Sequence, residues 1–219
     1  KRHRILTIEE EKQMLDTLES LNYTELKQWF NLCLYTLSRP AEILYLKVSD
    51  IDFKKEVLTI RQRKLESKLG VEAATKYIPY GKIDIVKNIF ETYKGKEKNT
   101  RLFTNSFAPI TIDKAGQEKL NLYMLEKQFK EVREKCNLDD KVIPYTLRHT
   151  GITRLIDTGL PERRVIKYSG HQNTKMLQVY YHGKMNADDL SGLNNNYKTD
   201  RNSFINNGEE FKRDIVCAH

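Results

Sequence analysis

TELKQWFNLCLYTLSRPAEILYL, residues 24–46, reads as two helices joined by a tight turn. Thr24 stands where an N-cap belongs, and Leu26, Phe30, Cys33, Leu34 and Leu37 recur at helical spacing, with Trp29 beside them. An apolar face that broad predicts a helix at the centre of the core. Pro40 then suits the first position of a short helix carrying Ile43, Leu44 and Leu46, because proline forfeits no intrahelical hydrogen bond there. Arg39 therefore sits at a helix entrance. Towards the N-terminus, Thr7-Ile8-Glu9-Glu10 is a capping box followed by Met14, Leu15 and Leu18 at helical spacing, which predicts a helix before this pair.

Towards the C-terminus the pattern changes at Val48. Residues 51–53, 57–60 and 77–79 are rich in β-branched and aromatic side chains and predict a small antiparallel sheet. The link from Ile60 to Tyr77 reads as a long loop around Gly70, rich in Arg61, Arg63, Lys64, Lys68 and Lys76, and loops of that length are usually functional or mobile. Helical spacing returns at Ile83, Val86, Ile89, Phe90 and Tyr93, breaks over residues 95–100, and resumes over about residues 118–135. After Pro144, breaks at Gly159-Leu160-Pro161 and Ser169-Gly170-His171 divide the chain into three short helices. The fold class is mainly α with a small antiparallel β-sheet (α+β).

The 219 residues suffice for one substantial domain, and 39% hydrophobic with 31% charged residues excludes collagen, mucin and disorder throughout. A net charge of +8 favours a polyanionic partner, nucleic acid first. Cys33, Cys136 and Cys217 lie far apart without metal-ligand spacing, so neither a disulfide framework nor a metal site is expected, and a reducing cytoplasm fits. No apolar run is long enough to span a bilayer, and no membrane partner is expected. The first residue is not Met, which suggests a fragment of a longer protein with a domain upstream.

Two segments carry chemistry: Thr36-Leu37-Ser38-Arg39-Pro40-Ala41-Glu42, and Tyr145-Thr146-Leu147-Arg148-His149-Thr150, the latter followed by Gly170-His171 and by Tyr180 nine residues further on. Together they resemble the catalytic domain of the tyrosine recombinase, or phage-integrase, family, in order and in spacing, from about residue 5 to about residue 185. The resemblance implies site-specific cleavage and rejoining of DNA strands through a covalent 3'-phosphotyrosyl link, with no metal and no other cofactor. A phenol that stays attached to the phosphoryl group conserves the bond energy for rejoining, so no ATP is needed. Charge spread over the non-bridging oxygens suits arginine, planar and always charged, and Arg39 and Arg148 take that role.

His171 matches the family's third-box histidine, which hydrogen-bonds the phosphate; read blandly it caps a helix or faces solvent. The interval from His171 makes Tyr180 the nucleophile, with Tyr181 about 100° further round a helix and assigned to packing. A hairpin lysine in the family protonates the departing 5'-hydroxyl, and Lys68 is the choice here, with Lys64 as runner-up; both otherwise contact backbone phosphates. The family's second box usually opens with histidine, and this chain has Tyr145, a phenol that can hydrogen-bond phosphate but not readily accept a proton at neutral pH. His149 either compensates or packs beneath the site. Glu42 orients Arg39 rather than acting as a catalytic acid.

Arg61, Arg63, Lys64, Arg154, Arg163 and Arg164 are expected to neutralise flanking phosphates, although each alone also reads as surface charge. By resemblance, residues 1–4 are a linker remnant from an N-terminal DNA-binding domain, residues 5–183 the catalytic domain, and residues 184–219 a flexible tail that docks on a neighbouring protomer. The implied partners are double-stranded DNA target sites, further copies of the chain in a tetramer on DNA, and accessory DNA-bending proteins, and the implied location is cytoplasmic and nucleoid-associated. The rival readings are a type IB topoisomerase-like enzyme and a non-catalytic DNA-binding regulator, the second raised by Tyr145 alone.

Overall fold

The computed structural model describes residues 4–180. Its central element is α2 (Thr24–Thr36), which packs against α1 (Ile8–Ser20), α3 (Pro40–Leu44), α5 (Asp84–Glu91), α6 (Tyr123–Lys135) and α7 (Pro144–Asp157). Leu26, Trp29, Phe30 and Cys33 are buried, as their spacing requires. Burying one such side chain contributes about 1.5–3 kcal/mol, so the apolar face of α2 organises the surrounding helices. Phe129 of α6 meets Trp29 edge-on at 6.2 Å, and the Trp29 indole N–H donates to the Pro40 carbonyl at 3.0 Å, tying α2 to the entrance of α3. Gly151 allows α7 to approach α2, for a Cβ there would lie 2.2 Å from the Leu34 carbonyl oxygen.

The starts of the first three helices follow the sequence closely with one exception. The capping box before α1 is present, with the Glu10 amide donating to Thr7 Oγ1 at 3.1 Å and the Thr7 amide to Glu10 Oε2 at 2.9 Å. Thr24, by contrast, is the first residue of α2 and not its cap; Tyr23 takes that position without a side-chain bond. Leu37 closes α2 in the left-handed conformation (φ 55), turning the chain so that Arg39 becomes the N-cap of α3 with Pro40 at N1. Arg4 already pairs with Glu10 and with Asp139 (2.9 Å), so the folded body includes it.

The small sheet has the order β1 (Ile51–Asp52), β2 (Val57–Arg61), β3 (Thr75–Pro79), antiparallel throughout. Two segments depart from the sequence expectation. The link between β2 and β3 contains a helix, α4 (Arg63–Leu69), with no buried residue. Its Arg, Lys, Leu and Glu are good helix formers, Glu66 pairs with Arg61 at 2.9 Å, and Gly70 (φ 78) ends it. The helix expected over residues 118–135 starts only at Tyr123; its first residues form β5 (Glu118–Leu120), a hairpin with β4 (Ile110–Ile112). Asp113 Oδ1 accepts the amides of Ala115 and Gln117, and Gly116 (φ 75) completes that turn.

Beyond Pro144 the segments are unequal. α7 runs 14 residues, α8 spans Glu162–Ser169, and a 3₁₀ turn spans Thr174–Tyr180. Leu37, Ile152, Val165, Leu177 and Tyr180 form a second, smaller apolar cluster, which carries the chain's last described turn back against α7. Cys33 and Cys136 are free and buried. Among the described residues, no helix is long and apolar enough to cross a membrane. Tyr181, Cys217 and the expected tail of residues 184–219 lie outside the described residues.

Candidate active site

Three turns meet where α2 ends, α7 begins and α8 ends. Arg39 is oriented by Glu42, whose Oε2 accepts its amide N–H at 3.0 Å and whose Oε1 accepts from Nη1 at 2.7 Å, the partnership expected of that glutamate. Arg148, one turn into α7, is fully buried. Its Nη1 donates to the Leu37 carbonyl and its Nη2 to the Ser169 carbonyl at 2.7 Å, so the guanidinium joins the turn before Arg39 to the turn before His171. Its buried Nε has no hydrogen-bond partner among the described residues. Burial lowers its pKa and Arg39 adds to that, yet arginine starts so high that it stays charged.

His171 follows Gly170 (φ 70), and its Nε2 lies 3.5 Å from Arg148 Nη2 while Nδ1 lies 2.7 Å from Ser169 Oγ. Arginine only donates, so with Nε2 facing it the imidazole carries its proton on Nδ1 and donates to Ser169. The serine hydroxyl can also donate, which permits the other tautomer when a second acceptor faces Nε2. Burial first, then the charges of Arg148, Arg39 and Lys76, push the His171 pKa down to about 3, so the ring is neutral at pH 7.

Tyr180 is 2% exposed, its ring 5.6 Å from that of His171 and 5.1 Å from that of His149. Burial raises the phenol to about 12, and Arg148 pulls the other way. Tyr145 is half-buried, with its ring 4.8 Å from His149, so His149 lies between the two phenols. Arg39, Tyr145, Arg148, His171 and Tyr180 are thus brought together as the motifs imply.

The expected lysine is not. Lys68 stands on exposed α4, as does Lys64. Lys76, counted from the sequence among the loop cations, is instead on β3, 4% exposed, with its ammonium turned to the site. Ser169 and Gln62 were also missed: Ser169 holds both Arg148 and His171, and Gln62 Nε2 donates to the Gly170 carbonyl at 3.1 Å. The signal for Lys76 was available, since alternation places it on the same inward side of the strand as Ile78.

The remaining cations differ in their engagements. Arg61 pairs with Glu66, and Arg63 with Glu118 at 2.8 Å while lying 3.8 Å over the Tyr45 ring. Arg154 is tied to Glu11 and to the Leu6 carbonyl, so it fastens the N-terminal segment to α7 rather than presenting free charge. Arg163 and Arg164 are exposed on α8. A cleft of about 910 Å³ runs between α4, β3 and α8, lined by Gln62, Lys76, Tyr77, Arg164, Lys167 and His171, so a basic hollow borders the site at His171.

Such a helical body, with a small sheet at its edge and arginine, histidine and tyrosine gathered at three turns, has the fold of tyrosine recombinase catalytic domains. Among solved structures it is similar to the XerA recombinase (TM-score 0.60, 20% identity, 92% of this chain and 66% of that one). It is also similar to the catalytic domain of bacteriophage HP1 integrase (0.61, 15%, 86% and 93%) and to the Tn1549 transposon integrase in complex with transposon right end DNA (0.63, 19%, 86% and 64%). The model of the phage integrase family matches residues 4–187, and the chain belongs to that family. Tyrosine recombinase XerC of Pediococcus pentosaceus is 30% identical over 153 residues (66% of this chain, 45% of that protein), and XerA of Pyrococcus furiosus 28% over 176 (80% and 56%). The chain spans about half the length of these relatives.

Proposed function

We propose that this chain is the catalytic part of a site-specific DNA recombinase that cuts and rejoins strands through a 3'-phosphotyrosyl link. The observation that carries it is the meeting of Arg148, His171 and Tyr180, from three separate turns, in one buried group beside Arg39. The Tyr180 oxygen attacks phosphorus as the bond to the 5'-oxygen breaks; the phenol gives up its proton and the 5'-oxygen gains one. Reversal, with a different 5'-hydroxyl attacking, joins new ends. Arg39 and Arg148 hold the non-bridging oxygens, and His171, through Nε2–H in its second tautomer, donates a further hydrogen bond. Tyr145 supplies a phenolic hydrogen bond where relatives of the common pattern have imidazole. Lys68 on α4 is the proposed proton donor, with Lys64 its alternate on the same helix, both delivered when DNA settles against that exposed arm.

Duplex DNA is the proposed substrate, seated on the basic side of the cleft, with Arg61, Arg63, Lys64, Arg163 and Arg164 exchanging solvent or carboxylate partners for phosphates. Assembly as a tetramer on two duplexes, accessory DNA-bending proteins and residence at the nucleoid belong to the same proposal. The test uses a pool of nicked duplexes with randomised sequence, incubated with the full chain and denatured in SDS. DNA that stays attached to the chain, and is lost with Tyr180→Phe, supports the reading; DNA retained only before denaturation points to binding without chemistry and overturns it.

A further inference from the structure

An inward lysine on β3, an edge strand of the sheet, is an expensive choice. Lys76 pairs across the sheet with Ile60, is followed on the same side by Ile78, and is removed from water almost entirely. Burial disfavours its charge, and the guanidiniums of Arg148 and Arg39 disfavour it further, with Glu42 opposing them. Yet its surroundings are built for an ammonium. Nζ donates to the carbonyls of Thr36 (3.1 Å), Leu37 (3.3 Å) and Tyr168 (3.1 Å), which uses all three protons of the charged form.

Those carbonyls belong to the two turns that matter. Thr36 and Leu37 end α2 and lead directly to Arg39; Tyr168 is three residues before His171. Arg148 binds the same two turns at Leu37 and Ser169, so two cations share one short row of carbonyls. Leu37 is held by both, in a left-handed conformation that a leucine does not adopt cheaply.

We propose that Lys76 is a positioning residue for strand cleavage, setting the separation between the turn that carries Arg39 and the turn that carries His171 without touching phosphate. This rests on the recombinase reading of the site. With each N–H directed at a carbonyl, Lys76 has no proton aimed at a departing oxygen, so its part is geometric and distinct from that of the proton donor. Side chains displaced by about 1 Å at a phosphoryl-transfer site lower the rate by roughly 10²-fold.

The test compares Lys76→Met and Lys76→Arg with the unmodified chain, on a nicked duplex recovered from the randomised pool and on its analogue with sulfur replacing the bridging 5'-oxygen. A thiolate leaves without help from a proton donor. Lys76→Met is expected to bind the duplex with unchanged affinity and to form the SDS-resistant link roughly 10²-fold more slowly with either leaving group. Lys76→Arg is expected to recover most of the rate. Melting curves confirm folding; should Lys76→Met not melt cooperatively, Lys76→Gln, which keeps two donors, replaces it with the same expectations. A neutral variant that reacts at the unmodified rate overturns the proposal, and one restored by sulfur alone makes Lys76 the proton donor and overturns it equally. If the unmodified chain forms no link, the recombinase reading falls and this proposal with it.

Discussion

Gly151→Ala tests the packing on which the site depends. Gly151 lies on α7 three residues after Arg148, where the helix crosses α2. An added Cβ would stand 2.2 Å from the Leu34 carbonyl oxygen and 2.7 Å from Leu37 Cδ2. The leucine side chain can rotate, but the carbonyl belongs to the α2 backbone and cannot. Ordinary contact lies near 3.5 Å, so the helices must part by about 1 Å. Overpacking of this kind costs about 1–3 kcal/mol, from which the better helix propensity of alanine returns up to about 1. A net loss of about 1–2 kcal/mol lowers Tm by roughly 2–8 °C in a chain of this size. Separation also draws Arg148 from the Leu37 carbonyl that it holds. Link formation on the nicked duplex should therefore fall by roughly 10²-fold, well beyond what the lost stability explains at a temperature where the variant is folded. Calorimetry and the SDS assay measure the two effects. A variant that melts no lower than the unmodified chain and reacts at its full rate refutes the close crossing and the dependence of Arg148 upon it.

Other expectations follow from single contacts. His171 titrates near 3 in the folded chain against 6.5 when unfolded, so the unfolded chain binds the extra proton between those values. The associated stability is complete above about pH 6.5 and is lost by up to roughly 1.4 kcal/mol per unit as pH falls, a slope that denaturant titrations should find reduced in His171→Asn. Trp29→Phe removes the donor to the Pro40 carbonyl, which is expected to cost about 1–3 kcal/mol in chemical denaturation while leaving DNA affinity intact. Ser169→Ala deprives His171 Nδ1 of its 2.7 Å partner, and link formation is expected to slow about tenfold, with the loss largely recovered in Ser169→Thr.

The motifs were legible because their local structure is dictated locally. Pro40 can only begin a helix, Glu42 three residues past Arg39 can reach back to it, and the interval from His171 to Tyr180 is a matter of counting. What escaped notice depends on partners distant in the chain. Lys76 looks like its basic neighbours until β3 is seen to start at Thr75, after which alternation turns it inward. Ser169 gains its part only because the end of α8 returns to the start of α7. α4 was hidden by charge, since a segment with no buried residue has no apolar period to read, and its propensity was the available sign. The hairpin of β4 and β5 was hidden by the helix after it, although Asp113 and Gly116 mark its turn.

Arg39 and Arg148 bring two guanidiniums to a region where Glu42 is the carboxylate that acts on both Lys76 and Arg148, where burial and those guanidiniums disfavour the charge of Lys76, and where His171 remains neutral. Their repulsion is real, since each of the two buried cations is disfavoured by its neighbours. On the proposed reading, a phosphodiester drawn among them would carry one negative charge, and a phenolate oxygen closing on phosphorus would bring a second. On the proposed recombinase reading, charge that grows on the phosphate oxygens as the bond forms meets guanidiniums already held in place, while Lys76 acts through their placement. Interactions that strengthen as the bond forms accelerate the step, whereas equal attraction to both states would only tighten binding. Arg148 and Lys76 are fixed on backbone carbonyls rather than on carboxylates, so the positive charge is held in place without being neutralised. On the proposed reading the carbonyl row from Thr36 and Leu37 to Tyr168 and Ser169 serves the chemistry, for it holds Arg148 and Lys76 side by side without a carboxylate.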